Sequence, residues 1–232
     1  MKRILFFAML FIAGNCFAQK VLNRTRRITP NVTEKYSYTI GTDQEIKQGL
    51  YQAFYDKKNA LASGKYVDDK RVGVWHFFDR KGELIQNYNY DTNTLLYEIP
   101  DGEAANSTSI QYVFDAGIKD SDKLTKPIRT GGQYYGYIPY LTSFKLPKNI
   151  NSQDAPEYGV ALELLISPGG RLADFKIHLS SQWEDDRVIN VNINRMSDED
   201  KEFFPATLNG QPVSSRIVVQ CRITPQLSLD IQ

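Results

Sequence analysis

The chain has 232 residues, and its 28 basic and 27 acidic side chains leave a net charge of +1 at pH 7. This neutral balance argues against general nucleic-acid binding, which requires a strongly basic surface. The length fits one large domain or two small ones.

The first 18 residues have the composition of a secretory signal peptide. A basic start is followed by the apolar run 4–13, and small residues precede Gln19. We expect cleavage after Ala18, which would make the mature protein periplasmic or secreted. An uncleaved anchor is the alternative, but its apolar run would be far shorter than the ~20 residues that cross a bilayer.

Cys221 would be the only cysteine left after this cleavage, so no intramolecular disulfide could form. Its alternation with Val219 and Ile223 predicts a place on the apolar face of a strand. A free cysteine in such a place behaves as a small hydrophobic side chain. We therefore expect core packing, with a reactive thiol as the alternative.

Residues 36–97 contain an aromatic repeat. The segment 49–56, Gly-Leu-Tyr-Gln-Ala-Phe-Tyr-Asp, is echoed by 73–79, Gly-Val-Trp-His-Phe-Phe-Asp, and Leu61 and Leu84 are 23 positions apart. Glycine and aromatic residues that recur at a fixed period predict stacked β-hairpins in an antiparallel sheet. The pattern resembles MORN-type repeats. We expect the sheet to end against the C-terminal domain or against partner chains, because each repeat buries its face only on the next.

A β-hairpin is predicted over 158–180, because apolar and polar residues alternate on both sides of the Ser-Pro-Gly-Gly turn 167–170. The segment Arg216–Ile223 alternates in the same way. Three strands would then share one apolar face, which has to be covered on one side. A further strand is expected at 110–114, where it could extend the stack of aromatic repeats.

The segment 204–213, Phe-Pro-Ala-Thr-Leu-Asn-Gly-Gln-Pro-Val, resembles the pattern that precedes the last strand in the TonB C-terminal domain family. The resemblance extends to Gly159-Val160, Gly170, Thr130-Gly131-Gly132 and Leu146-Pro147, and so covers about 127–224. It implies a three-stranded antiparallel sheet packed by one or two helices. One helix is expected at 131–144 and the other within 184–203.

These assignments give an α+β protein with four parts. They are a signal peptide (1–18), a MORN-like β-repeat region (19–98), a connector (99–126) and a TonB C-terminal-like domain (127–232). Within 184–203, the run 188–193 reads more like a strand than a helix, which departs from the family pattern.

No catalytic constellation or cofactor site is expected. Asp174, His178 and Ser180 alternate along one strand face, where residues i and i+4 are ~13 Å apart, too far for a hydrogen-bonded triad. The carboxylates at 184–186 and 198–202 could hold calcium but lack the spacing of a dedicated loop. Solvated charge is the simpler interpretation, so we expect no metal site.

The sequence thus predicts an exported, non-enzymatic interaction or scaffold protein of the cell envelope, with protein or peptide partners and possible association with the outer membrane. The alternative is a TonB-like energy transducer acting on outer-membrane receptors, which would need a membrane anchor and a long proline-rich spacer. The last strand is the expected binding edge, with Arg216, Val218, Gln220 and Arg222 facing an acidic peptide. If the upstream MORN-like sheet or the C-terminal tail 224–232 covered that edge, capture there would be prevented.

Overall fold

The computed structural model describes residues 20–100, 109–115, 117–183 and 185–232. The expected signal peptide and its cleavage site lie outside these residues. Antiparallel strands make up most of the described chain, with one short α-helix, α1 (Ile138–Thr142). No helix in the described segments is long and apolar enough to span a membrane.

The N-terminal sheet has seven antiparallel strands that follow one another in chain order. They are β1 (Leu22–Arg27), β2 (Val32–Ile40), β3 (Glu45–Tyr55), β4 (Asn59–Val67), β5 (Lys70–Phe78), β6 (Leu84–Asn89) and β7 (Thr94–Glu98). The expected antiparallel sheet over the aromatic repeat is therefore present, and it extends on the N-terminal side by β1 and β2.

The repeat in this sheet has a structural period of 24 residues. Tyr51 and Trp75 occupy equivalent inward positions with ring centroids 5.3 Å apart. Leu61 is fully buried and its counterpart is Ile85, 1% exposed, whereas Leu84 is 39% exposed. The expected equivalence of Leu61 and Leu84 in the repeat is therefore wrong by one residue. The turns after β3 and β5 differ in length, so turn residues do not fix the register of the strands.

The C-terminal sheet has six strands. They are β8 (Ile110–Phe114), β11 (Gly159–Ile166), β12 (Leu172–Ser180), β13 (Arg187–Asn190), β17 (Ser215–Ile223) and β18 (Leu229–Ile231). Their order is β13-β12-β11-β17-β18, with β8 also paired to β17. The predicted hairpin is confirmed as β11 and β12, and Leu162 lies opposite both Ile177 and Val219. The strand expected at 110–114 is confirmed as β8, but it pairs with β17 in this sheet and does not extend the repeat stack.

Five short strands form two small sheets in the described part of the chain. They are β9 (Leu124–Thr125), β10 (Ile128–Arg129), β14 (Phe203–Phe204), β15 (Ala206–Leu208) and β16 (Gln211–Val213). β10 pairs with β14, and β15 lies between β9 and β16. The Asn-Gly turn predicted in 204–213 connects β15 to β16.

The expected covering helices are largely replaced by irregular structure. The segment 131–144 forms a 3-10 turn (Tyr135–Tyr137) and the five-residue α1, in which Pro139 lies in the first turn. In the described part of 184–203, β13 and two 3-10 turns stand where a helix was expected. The apolar face of the C-terminal sheet is instead covered by the tyrosine-rich segment, where Tyr140 packs edge-on against Phe175 at 5.5 Å.

The buried side chain of Gln86, in β6, ties this tyrosine-rich segment to the N-terminal sheet. Its Oε1 accepts hydrogen bonds from the N–H groups of Gly131 (2.7 Å) and Gly132 (3.1 Å). Gly132 has φ +69°, and a Cβ there would lie 2.6 Å from Ile85 Cδ1. The Gly-Gly pair is therefore required for the turn to approach β6 closely.

Asp230, in β18, joins the two sheets at a second point and is 1% exposed. Its carboxylate accepts hydrogen bonds from the Tyr134 hydroxyl (2.6 Å), the Asn31 amide (3.0 Å) and the Arg222 guanidinium (3.0 Å). Three separate parts of the chain thus satisfy one buried charge.

Cys221 should resist thiol reagents in the native protein and react quickly after denaturation. Its side chain is fully buried in β17, as its alternation predicted. Burial, together with the negative charge of Asp230, raises the pKa of the thiol, so the reactive thiolate is scarce at neutral pH. Release of thionitrobenzoate from Ellman's reagent checks this. Fast labelling of the native protein would mean that Cys221 does not lie on the buried face of β17.

Candidate functional site

A cleft lies between the N-terminal sheet and the segment 199–202. It consists of two adjoining cavities of about 320 Å³ and 140 Å³. Tyr66, Arg71, Arg129 and Thr130 line both cavities. We call these two cavities the tyrosine cleft, because five tyrosines contribute to their walls: Tyr51, Tyr66, Tyr88, Tyr90 and Tyr135.

Arg71, near the start of β5, is the central cation of the cleft. Its Nε donates to the Tyr66 hydroxyl at 3.2 Å, and its Nη1 donates to the Tyr90 hydroxyl at 2.8 Å. The guanidinium also lies 4.9 Å from the ring centroid of Trp75. Its side chain is 20% exposed, and it forms an ion pair with Glu199 from across the cleft. The aromatic groups therefore hold the fork of Arg71 in one orientation.

The charge states around Arg71 are fixed over the physiological pH range. Burial works against the charged guanidinium, but the surrounding tyrosine oxygens and Glu199 outweigh it and raise the pKa of Arg71 well above its ordinary value. Burial also raises the pKa of Tyr90 to about 12, although Arg71 acts in the opposite direction. The cleft thus presents a permanent cation and neutral hydroxyl groups.

Lys47, in β3, is the counterpart of Arg71 one repeat earlier, 24 positions back in the chain. Its Nζ lies 4.8–5.2 Å from the ring centroids of Tyr36, Tyr51 and Tyr66. Glu34 lies 3.8 Å away. Burial lowers the pKa of Lys47, while Glu34 opposes this shift. The repeat therefore places a cation on the tyrosine-rich face twice.

The opposite wall of the cleft is held rigidly by Arg129, in β10, whose side chain is 5% exposed. Its Nη1 donates to the carbonyls of Glu199 (2.7 Å) and Glu202 (2.8 Å), and its Nη2 donates to the Asp200 carboxylate (3.0 Å). The Tyr140 hydroxyl donates to the Asp200 carbonyl. The backbone of 199–202 is therefore fixed, while the Glu199 side chain remains half exposed.

The four residues predicted to bind a peptide lie on an interior strand, which corrects the expectation of an open edge. They are Arg216, Val218, Gln220 and Arg222, all in β17. One side of β17 pairs with β11, and the other side pairs with β8 over 215–219 and with β18 over 221–223. β8 thus covers most of this edge and the C-terminal tail covers its end, so the tail accounts for only part of the cover that was considered for the sequence. No strand can be added there.

The polar face of β17 also has charged partners of its own. Arg216 forms an ion pair with Asp115, and Arg222 donates to the buried Asp230. The two arginines that were expected to attract an acidic peptide are therefore already paired with carboxylates of the protein itself.

Replacing Val218 with Pro should therefore destabilise the fold by about 3 kcal/mol or more, since Pro removes a backbone donor from an interior ladder. Val218 lies opposite Glu163 of β11 on one side and Gln111 of β8 on the other. Urea unfolding followed by circular dichroism measures the effect, with Val218→Thr as the control. An unfolding midpoint equal to that of the control would contradict the pairing.

Asp174 and His178, two of the three residues considered as a catalytic triad in the sequence, have different neighbours in the structure. Asp174 pairs with Lys176 at 3.1 Å, and His178 approaches Glu163 at 3.1 Å. Among the described residues, no group of three or more His, Cys, Asp or Glu side chains is placed to hold a metal ion.

Sequence reasoning did not identify Arg71 or Glu199, which lie 128 positions apart. One signal was present, because the 24-residue period that aligns Tyr51 with Trp75 also aligns Lys47 with Arg71. A cation recurring beside the repeat's aromatic residues could have marked the tyrosine-rich face. The partner Glu199 had no such signal, since its contact depends on the packing of the two sheets.

Comparisons of the chain with protein-family models, curated proteins and solved structures found no match.

Proposed function

We propose that this is an exported, non-enzymatic binding protein of the cell envelope that engages a protein or peptide partner in the tyrosine cleft. In this proposal a MORN-like sheet and a TonB C-terminal-like unit form the two walls of one recognition site. The repeat pattern, the hairpin, and the signal-like first 18 residues support it. The binding site differs from the strand edge expected from the sequence, because that edge is occupied.

The observation that carries the proposal is the setting of Arg71. Arginine, tyrosine and tryptophan are the residues that most often dominate the binding energy of protein interfaces. Here Tyr66, Tyr90 and Trp75 orient the Arg71 guanidinium in the wall of the tyrosine cleft. A guanidinium oriented before binding loses little side-chain entropy when a partner arrives.

Chemical crosslinking in the native envelope, followed by mass spectrometry, tests the proposal. Arg71→Gln should greatly reduce the yield of a specific partner relative to the wild type. Lys65→Gln is the matched control, because Lys65 is exposed and lies between the inward residues Gly64 and Tyr66, on the outer face of the same sheet. Equal recovery of all partners from the wild type and both variants would reject the tyrosine cleft as the binding site.

A further inference from the structure

We propose that the Glu199 carboxylate occupies the place of a carboxylate from the partner, so that the tyrosine cleft recognises an acidic peptide. This inference rests on the proposed function and specifies the chemistry of its ligand. In the unbound protein Glu199 closes the cleft on Arg71, and an incoming Asp or Glu side chain displaces it.

The first argument concerns what can move. Glu199 lies in a three-residue 3-10 turn, and its side chain is 50% exposed. Arg129 binds the backbone carbonyl of Glu199, so the main chain of this wall stays in place. A rotation of the Glu199 side chain alone would release Arg71. The exchange therefore needs no rearrangement of either sheet.

The second argument concerns what may replace Glu199. Arg71 is largely buried, and leaving a buried charge without a partner is costly. Any ligand that displaces Glu199 must therefore supply an anion of its own. Tyr66 and Tyr90 accept hydrogen bonds from Arg71 but remain neutral, so they cannot provide that charge.

The third argument distinguishes a carboxylate from a more highly charged anion. The cavity beside Arg71 is also lined by the acidic Asp69 and Glu202 and by the basic Lys70 and Arg129. Counting Glu199 and Arg71, three acidic and three basic side chains line this cavity. A ligand carboxylate that turns the Glu199 side chain toward solvent therefore adds one negative charge to the site. A dianionic phosphate would add two close to Glu202 and Asp69, which like-charge repulsion opposes.

The test uses acetyl-Ala-Glu-Ala-amide, which carries one carboxylate, as the probe, with acetyl-Ala-Gln-Ala-amide as the neutral control peptide. Trp183 is replaced by Phe in every protein, so that emission comes from Trp75, over which Arg71 lies. We expect the acidic probe to change the Trp75 emission in a saturable way. Glu199→Gln should raise its affinity about tenfold, because the internal competitor is weakened.

Arg71→Gln should lower the affinity at least tenfold, and Arg71→Lys, which keeps the charge in the aromatic setting, should lower it less. The neutral peptide should not bind. Equal affinity of the acidic probe for the wild type and Glu199→Gln, or no binding to either, would overturn the inference. The two proposals can fail separately. If the acidic probe did not bind, but Arg71→Gln still reduced the yield of the partner in the envelope crosslinking experiment, the acidic ligand would be rejected and the proposed function would stand.

Discussion

Replacing Arg129 with Met should lower the free energy of unfolding by about 3–5 kcal/mol, the cost typical of removing one member of a buried ion pair. The guanidinium is 5% exposed and binds the carbonyls of Glu199 and Glu202 as well as the Asp200 carboxylate. Met fills much of the same volume but offers no donor, so these oxygens lose their partner. Urea titration followed by tryptophan fluorescence measures the loss.

Arg171→Met is the matched control for this prediction. Arg171 forms ion pairs with Asp198 and Glu202 on the same segment, but its side chain is 47% exposed. An exposed pair contributes about 0–1 kcal/mol, so the control should unfold nearly as the wild type does. Similar losses in the two variants would mean that Arg129 does not hold the wall of the cleft.

Asp230→Ala should also lower the free energy of unfolding by about 3–5 kcal/mol. It leaves the buried hydroxyl of Tyr134 and the amide of Asn31 without their acceptor. The effect should extend to both sheets, since Asn31 precedes β2 and Asp230 lies in β18. Differential scanning calorimetry should show a lower transition temperature. The two sheets should also no longer unfold together in a single heat-capacity peak.

Asp115→Ala provides the control for Asp230. Asp115 also binds an arginine, Arg216, but its side chain is 43% exposed. Its removal should change the transition temperature little. A small effect of both substitutions would show that the contact at Asp230 contributes little to the packing of the two sheets.

The strands were predictable from the sequence where one face of a strand is buried. Val160, Leu162 and Leu164 alternate with exposed or half-buried residues in β11, and a shift of one residue would reverse the faces. The same physical rule identifies Ile85 rather than Leu84 as the repeat equivalent of Leu61, because Ile85 is the buried residue of the two. Turn residues were a weaker guide to that register.

The helices were less predictable, because the cover of the C-terminal sheet comes from distant parts of the chain. Tyr134 binds Asp230, and Tyr135 donates to the Tyr51 hydroxyl of β3. These tertiary contacts stabilise a segment with little regular structure, whereas spacing alone suggested a helix. Local propensity is a weak guide when such contacts determine the conformation.

The cleft itself could be predicted only in part. Its tyrosines follow the repeat, and the period also carries Lys47 and Arg71 to equivalent positions. The other wall requires Arg129 to bind residues 70 or more positions away. No local pattern in the sequence specifies that distance, so the existence of the cleft follows from the three-dimensional packing.

Site-specific photo-crosslinking tests the central claim most directly. A photoreactive phenylalanine analogue at Lys70, an exposed residue that lines the larger cavity, is compared in the native envelope with the same analogue at Lys65 on the outer face. We predict a specific adduct from position 70 that disappears when Arg71→Gln is added, and none from position 65. An adduct formed only from position 65, or one unaffected by Arg71→Gln, would contradict binding in the tyrosine cleft.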